Sequence, residues 1–341
     1  MFSPPQKILA LHAGAIGDLL LALPSLRTFR RAFPRYTLDL MGWPERLSVV
    51  AFDLQAESIH SIDQAEMAYF YSDESTLPPR LSAFFSSFSC ILVFGKDSGR
   101  ILVKNFSRAG AKKVITIPSF PPQESGIHVS EYLVGSLKAA GIEEQGSFSP
   151  LRLPEEALTF AGRFRAGLGL KEGDQVLALH PGSGSPGKNW DPKKFAAVAD
   201  WASERCQVLL ISGPARDGVE EVRDSVKKAR PLVADNLPLL RLAAVLKAST
   251  VYLGNDSGIT HLAASLGLPT VALFGPTNPA LWGPKGPGVQ VIYAKNLSTA
   301  RLPDARCEPS RPCMDSIETD QVIEALSPFL SHSPASNPSE S

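Results

Sequence analysis

The sequence predicts an α/β chain made of two doubly wound, parallel-stranded halves. Three observations carry this. Short apolar, β-rich runs alternate with helical stretches almost throughout, the pattern of parallel sheets covered by helices on both faces. At 341 residues the chain is long for a single domain, so two are expected. The segment Glu143–Pro154 lacks periodicity, carries Gly and Pro, and reads as the link. The expected division is residues 1–150, residues 151–330, and a polar Ser/Pro-rich tail at 331–341 expected to be disordered.

Each element has a local reason. The apolar run Ile8–Leu11 reads as the first strand. The helix expected over Asp18–Phe33 places Leu19, Leu20, Leu23, Leu26 and Phe29 on one buried face. Pro24 falls inside it and predicts a kink or a restart. Strands follow at Thr37–Met41, Ser58–Ile62, Cys90–Phe94 and Lys113–Ile117, then a helix at His128–Ala140. In the second half, strands are expected at Val176–Leu179, Gln207–Ile211, Leu232–Ala234, Val251–Leu253, Thr270–Phe274 and Val289–Tyr293. Helices are expected at Glu155–Ala166, Pro192–Glu204, Asp217–Lys228 and Pro238–Ala248, and from about Ile259 to Leu266. Gly267 then stops the last of these and Pro269 prevents its continuation. In such sheets the strand C-termini and their loops line the ligand crevice, so the two halves are expected to face each other across a cleft.

Composition excludes several classes. Basic and acidic side chains balance at 34 each, which argues against a broad nucleic-acid footprint. No apolar run approaches the ~20 residues that span a bilayer. The apolar N-terminal stretch is broken by Asp18 and two glycines, so it reads as strand, loop and helix rather than a signal peptide. Four cysteines do not make a disulfide scaffold in a chain this size. Cys90 and Cys206 lie beside apolar strands and read as reduced core residues, and a cytoplasmic enzyme is expected.

Three loops can carry chemistry. The first is His12-Ala13-Gly14-Ala15-Ile16-Gly17-Asp18, after the first strand. Gly14 and Gly17 allow a close turn, and Asp18 lands at a helix start. It reads either as a capping carboxylate or as a general base. The second is His180–Trp190, whose Gly182, Gly184 and Gly187 match the dinucleotide pattern in letters. That reading fails, because the helix starts at Asp191-Pro192 and the next strand ends in Ser212-Gly213 with no acid. A P-loop also fails, since Asn189 stands where Ser or Thr must hold magnesium. What survives is a glycine-rich loop with Ser183, Ser185 and Lys188, suited to phosphate, or else a βα loop with a solvated lysine. The third loop is Asn255-Asp256-Ser257-Gly258, where a strand turns sharply into a helix. Its free N–H groups and dipole make an anion site, with His261 one turn in. The bland alternative is a βαβ corner with Asp256 as N-cap.

The three pieces ILALHAGAIGDLLLALPSLRTFRRAFP, HPGSGSPGKNW and GNDSGITHLAASLGLPTVALFGPTNPALWGP together resemble glycosyltransferase family 9, the bacterial heptosyltransferases of lipopolysaccharide synthesis. The likeness runs from Lys7 to about Leu326. It implies a GT-B fold, two Rossmann-like domains with the donor site mainly in the second and the last helix, near Asp320–Leu330, packing back towards the first. It also implies inverting transfer of a heptose from an ADP-activated donor to a lipid-linked saccharide, at the cytoplasmic side with a peripheral inner-membrane contact. By that resemblance Asp18 is the catalytic base, His12, Gly14 and Gly17 belong to the acceptor loop, and Lys188 and Ser183 meet the diphosphate. Asp256, Ser257, Gly258 and His261 line the donor, and Asp217 meets its ribose.

Departures set the open questions. Many family members carry Arg where His12 stands. Only Cys307 and Cys313 remain of a cysteine-rich stretch, too few for a four-ligand zinc site, so two thiols or one loop disulfide are expected. The chain has no Asp-x-Asp pair, so no cofactor is required, with room left for a loosely bound magnesium. Arg27, Arg30, Arg31 and Arg35 read as a membrane-facing patch or, preferably, a solvated helix face. The alternatives are a nucleotide-sugar epimerase of the same fold and a non-catalytic sugar-nucleotide-binding protein.

Overall fold

Alternating strands and helices build two parallel sheets in the computed structural model, which describes residues 6–63, 67, 69–70, 77–95, 101–122, 125–143, 147–213, 218–294 and 313–330. The chain divides into two units, Met1–Glu155 with Ala280–Trp282, and Glu156–Pro279 with Gly283–Ser341.

The first unit runs β1 (Lys7–His12), α1 (Ile16–Ala32), β2 (Thr37–Gly42), α2 (Pro44–Leu54), β3 (Ala56–Ser61), α3 (Pro79–Ser86), β4 (Phe88–Phe94), α4 (Ile101–Arg108), β5 (Val114–Ile117) and α5 (Val129–Ala139). Its strand order is β3-β2-β1-β4-β5, with every pairing parallel. The chain therefore reverses its direction of travel at β1, whose neighbours are β2 and β4. The central strands are buried on both faces and read as continuous apolar runs. Leu9, Leu11, Ile91 and Val93 pack with Phe70, Phe85, Phe88 and Phe106.

The second unit, with Ala280–Trp282 of α11 grouped with the first, continues with α6 (Glu155–Gly167), β6 (Val176–His180), α7 (Pro192–Ala202), β7 (Gln207–Ser212), α8 (Val219–Ser225), β8 (Leu232–Asp235), α9 (Leu239–Lys247), β9 (Val251–Asn255), α10 (Gly258–Ser265), β10 (Thr270–Phe274), α11 (Pro279–Trp282), β11 (Val289–Tyr293) and α12 (Thr319–Leu326). Its order is β11-β10-β9-β6-β7-β8, again all parallel. Here the reversal lies between β6 and β9. Fully buried Trp190 and Phe195 anchor its core.

The eleven expected strands are all present, but several details differ. α1 is one helix despite Pro24, so no restart occurs there. It begins at Ile16, two residues before the expected start, which places Gly17 inside its first turn rather than in the loop. Within the second unit, the last helix buries Val322 and Leu326 in the core. The C-terminal end of the Glu143–Pro154 segment is held by side chains of the first unit. Arg27 donates to the carbonyls of Ser149 and Pro150 at 2.7 and 3.4 Å, and the Arg152 N–H reaches Asp53 Oδ1 at 3.2 Å. Residues 149–152 are thus strapped to α1 and α2. Cys90 and Cys206 are free thiols, as expected, and burial pushes both up to about 11. Cys313 is disulfide-bonded; Cys307 lies outside the described residues.

Candidate active site

Parallel sheets concentrate ligand chemistry at the C-terminal edge, where the strand order reverses. In the second unit that point lies between β6 and β9, which pair His180 with Gly254 at their ends. The His180–Trp190 loop leaves from one strand and the Asn255–Gly258 turn from the other. Three side-chain links join them. Lys188 Nζ meets Asp256 Oδ2 at 2.7 Å. Asn255, fully buried, accepts from the Trp190 N–H at 3.1 Å and donates to the Pro181 carbonyl at 2.7 Å. The two phosphate-type loops of the sequence are therefore one assembly.

The turn itself is braced from below. Ser257, not Asp256, is the N-cap of α10: its hydroxyl accepts the Thr260 N–H at 3.3 Å. Asp256 instead holds Lys188, and its own N–H goes to the Leu273 carbonyl at 2.9 Å. The Thr260 hydroxyl bonds back to the Asn255 carbonyl and contacts the Tyr252 hydroxyl at 3.0 Å. Tyr252 is fully buried, and burial raises its pKa. Gly258 opens α10 and His261 lies in its first turn, 7% exposed. First-turn N–H groups have no acceptor within their own helix, so this end offers donors and a positive partial charge to an anion.

In the 180–190 loop, Ser183 closes a local turn. Its hydroxyl donates to the Ser185 carbonyl at 2.7 Å and accepts the Ser185 N–H at 3.2 Å. Pro186–Lys188 forms a single 3₁₀ turn that presents Lys188. A Cβ placed on Gly184 or Gly187 would meet nothing within 4 Å, and neither glycine has a positive φ. The protein's own packing gives no reason for glycine at either position. Asp217 lies outside the described residues.

In the first unit the reversal point carries the His12–Asp18 loop. Asp18 is the third residue of α1, and its Oδ2 accepts the Ala15 N–H at 3.2 Å. That is a capping contact, and it fixes the carboxylate at the loop. Gly14 is required by close approach: a Cβ there would come within 2.8 Å of His12 Cε1 and 3.1 Å of Asp18 Oδ2. His12 is buried against Phe94, with ring centroids 5.4 Å apart. Burial, aided by the Arg46 guanidinium, pushes its pKa down to about 4.

Sequence reading missed what holds this loop. Trp43 Nε1 donates to the Ala13 carbonyl at 3.0 Å and Arg46 Nη1 to the Gly14 carbonyl at 2.9 Å. Both follow β2, beside β1, so only the strand order could have brought them to notice. Asn255 was legible only as part of the turn. Among the described residues no group of His, Cys, Asp and Glu is arranged to hold a metal ion, and no helix is long and apolar enough to cross a membrane.

Comparison with known proteins agrees with this architecture. Residues 120–308 match the family described as glycosyltransferase family 9 (heptosyltransferase). Lipopolysaccharide heptosyltransferase 3 of Escherichia coli (strain K12) is 20% identical over 334 residues, 92% of this chain and 95% of that protein. A family 9 glycosyltransferase structure from Veillonella parvula DSM 2008 superimposes with a TM-score of 0.76 at 21% identity, covering 95% of this chain and 97% of that one. The structure of E. coli ADP-heptose lps heptosyltransferase II gives a TM-score of 0.71 at 18% identity, covering 94% and 97%. These likenesses establish a GT-B fold.

Proposed function

The chain belongs to glycosyltransferase family 9 and is a glycosyltransferase, and from that premise we propose that it moves a heptose from ADP-heptose to a lipopolysaccharide-core-type acceptor with inversion at the anomeric carbon. The observation that carries the donor half is the joining of Lys188 to Asp256 beside the N-terminus of α10. A diphosphate there receives the lysine charge and the first-turn N–H groups, and the open space at Gly184 and Gly187 lets it approach the backbone. Lys188 then exchanges part of its pairing with Asp256 for the phosphate, which leaves the Asp256 carboxylate to accept from sugar hydroxyls. Ser183 and Ser257 hold the two loops in shape, and His261 adds a donor.

Asp18 acts as the base. The acceptor hydroxyl gives its proton to the carboxylate as its oxygen bonds to the anomeric carbon, and the carbon–oxygen bond to ADP breaks on the opposite face. Charge developing on the leaving diphosphate is stabilised by Lys188 and α10. His12 and Gly14 shape the acceptor loop, and Gly17 lies in the first turn of α1 that follows it. The ADP moiety is supported by the likeness to E. coli ADP-heptose lps heptosyltransferase II, the acceptor class by the likeness to lipopolysaccharide heptosyltransferase 3, and a lipid-linked acceptor would bring the enzyme to the inner face of the inner membrane.

The test is a pair of variants assayed for product and for ADP affinity. Asp18→Asn should lower kcat by about 10²–10⁴ with ADP affinity unchanged, because the amide keeps the shape but takes no proton. Lys188→Ala should instead weaken ADP binding by roughly tenfold or more. Turnover by Asp18→Asn near the wild-type rate would reduce Asp18 to a cap. Consumption of ADP-heptose without any acceptor-linked product would favour an epimerase or hydrolase.

A further inference from the structure

Far along the chain from both loops, the C-terminal turn of α1 carries Arg30 and Arg31, one turn beyond Arg27. A cavity of about 260 Å³ opens here, lined by Arg27, Arg30, Arg31, Asp53, Gln55 and Arg152 among others. Among the described lining residues, four guanidiniums face one carboxylate, a formal excess of three positive charges. Asp53 is already committed: its Oδ2 takes Arg27 Nε at 2.7 Å, and its Oδ1 takes the Arg152 N–H at 3.2 Å and Arg152 Nε at 3.4 Å. Arginine cannot shed its charge by deprotonation. Two groups of this lining are held only by neutral carbonyls or amides: Arg30 Nη1 donates to the Phe33 carbonyl at 2.9 Å and Nη2 to Gln55 Oε1 at 3.5 Å. Arg30 Nε is buried and has no acceptor among the described residues.

Two ordinary explanations cover only part of this. The Arg27–Asp53–Arg152 group straps residues 149–152 to α1 and α2, which accounts for two arginines. Basic residues in the last turn of a helix offset its dipole, which accounts for the position of Arg30 and Arg31 but not for their convergence on a cavity shared with Arg152. At about 260 Å³ the cavity is ample for a tetrahedral oxyanion. We propose that this cavity is a second anion site, separate from the donor loops, that takes a phosphate group through the Arg30 and Arg31 guanidiniums. The phosphate can be a free phosphate monoester or the phosphate of a lipid headgroup; both present the same oxygens to a guanidinium fork.

The test is titration of the full chain with inorganic phosphate, followed by calorimetry, in four single variants. Arg30→Gln and Arg31→Gln should weaken phosphate binding by roughly tenfold or more. Arg35→Gln removes an equal charge from the same end of the helix but does not line the cavity, so it should leave affinity within about twofold, while Lys188→Ala removes the donor-loop contribution and should leave the Arg31-dependent phosphate binding in place. Arg31 is exposed, so its variant carries the test even where Arg30→Gln loses stability. Sedimentation with phosphatidylcholine vesicles, with and without phosphatidylglycerol, separates the two sources. Arg31-dependent binding to the anionic vesicles, competed by phosphate, assigns the site to a lipid; saturable phosphate binding without vesicle binding assigns it to a soluble phosphate. The proposal is overturned by equal losses in Arg31→Gln and Arg35→Gln, by phosphate binding that depends on Lys188 alone, or by no saturable binding at all.

Discussion

His12 links the geometry of the acceptor loop to a measurable pH dependence. Its ring is buried, and burial with the Arg46 guanidinium beside it lowers its pKa from 6.5 to about 4. The unfolded chain takes up the proton near pH 6.5, while the folded chain holds it off until about 4. The stabilising contribution is therefore complete above pH 6.5 and is lost as pH falls through that window, by on the order of 3 kcal/mol in all. A profile of melting temperature against pH should steepen below 6.5, and His12→Gln should flatten that limb. An unaltered limb in the variant would mean that His12 is not held neutral. The guanidinium beside the loop belongs to Arg46, which also clamps the Gly14 carbonyl.

The β9–α10 turn shows how an element is set by one hydroxyl more than by its acid. Ser257→Ala removes the cap and should cost about 1 kcal/mol. Thr260→Val removes a hydroxyl that reaches the Asn255 carbonyl, Ser257 and Tyr252 at once. It should cost about 1–3 kcal/mol, because it withdraws a partner from polar groups that stay buried. Urea unfolding of the two variants checks the order; a smaller loss for Thr260→Val would deny the hydroxyl its bracing role. The same turn explains what could be read in advance. β10 and β11 were legible to their end residues, since apolar runs between Gly and Pro leave little choice. The cap was not: Asp256 and Ser257 are both good cap formers, and the choice falls to Lys188, 68 positions away in sequence and drawn to Asp256. The sequence puts the start of α1 late, at Asp18, because Ala15 gives no capping signal; Asp18 is the third helical residue. Among the described residues, those that carry the proposed chemistry stood out by type, while Trp43 and Arg46, which hold them, depend on which strands are neighbours.

Two units with separate cores make a prediction about where a donor is felt. The proposed diphosphate contacts all lie on β6, β9 and the loops that follow them, inside the second unit. A ligand that binds only the folded form stabilises what it touches by about 2.7 kcal/mol at a hundredfold excess over Kd. ADP should therefore slow hydrogen exchange at residues 181–190 and 255–262 and raise the exchange-derived stability of the sheet β6-β7-β8-β9-β10-β11. The core around Phe70, Phe85 and Phe106 in the first unit should exchange as before. Asp18→Asn should give the same ADP footprint as the wild type, because the base meets the acceptor and not the diphosphate. Lys188→Ala should shrink the footprint at equal ADP concentration. Protection centred on residues 12–18 would place the nucleotide in the first unit and would remove Lys188 and α10 from the donor site. Protection at residues 27–31 that survives in Lys188→Ala would instead report the arginine cavity taking the nucleotide's phosphates, so one exchange map separates the two anion sites.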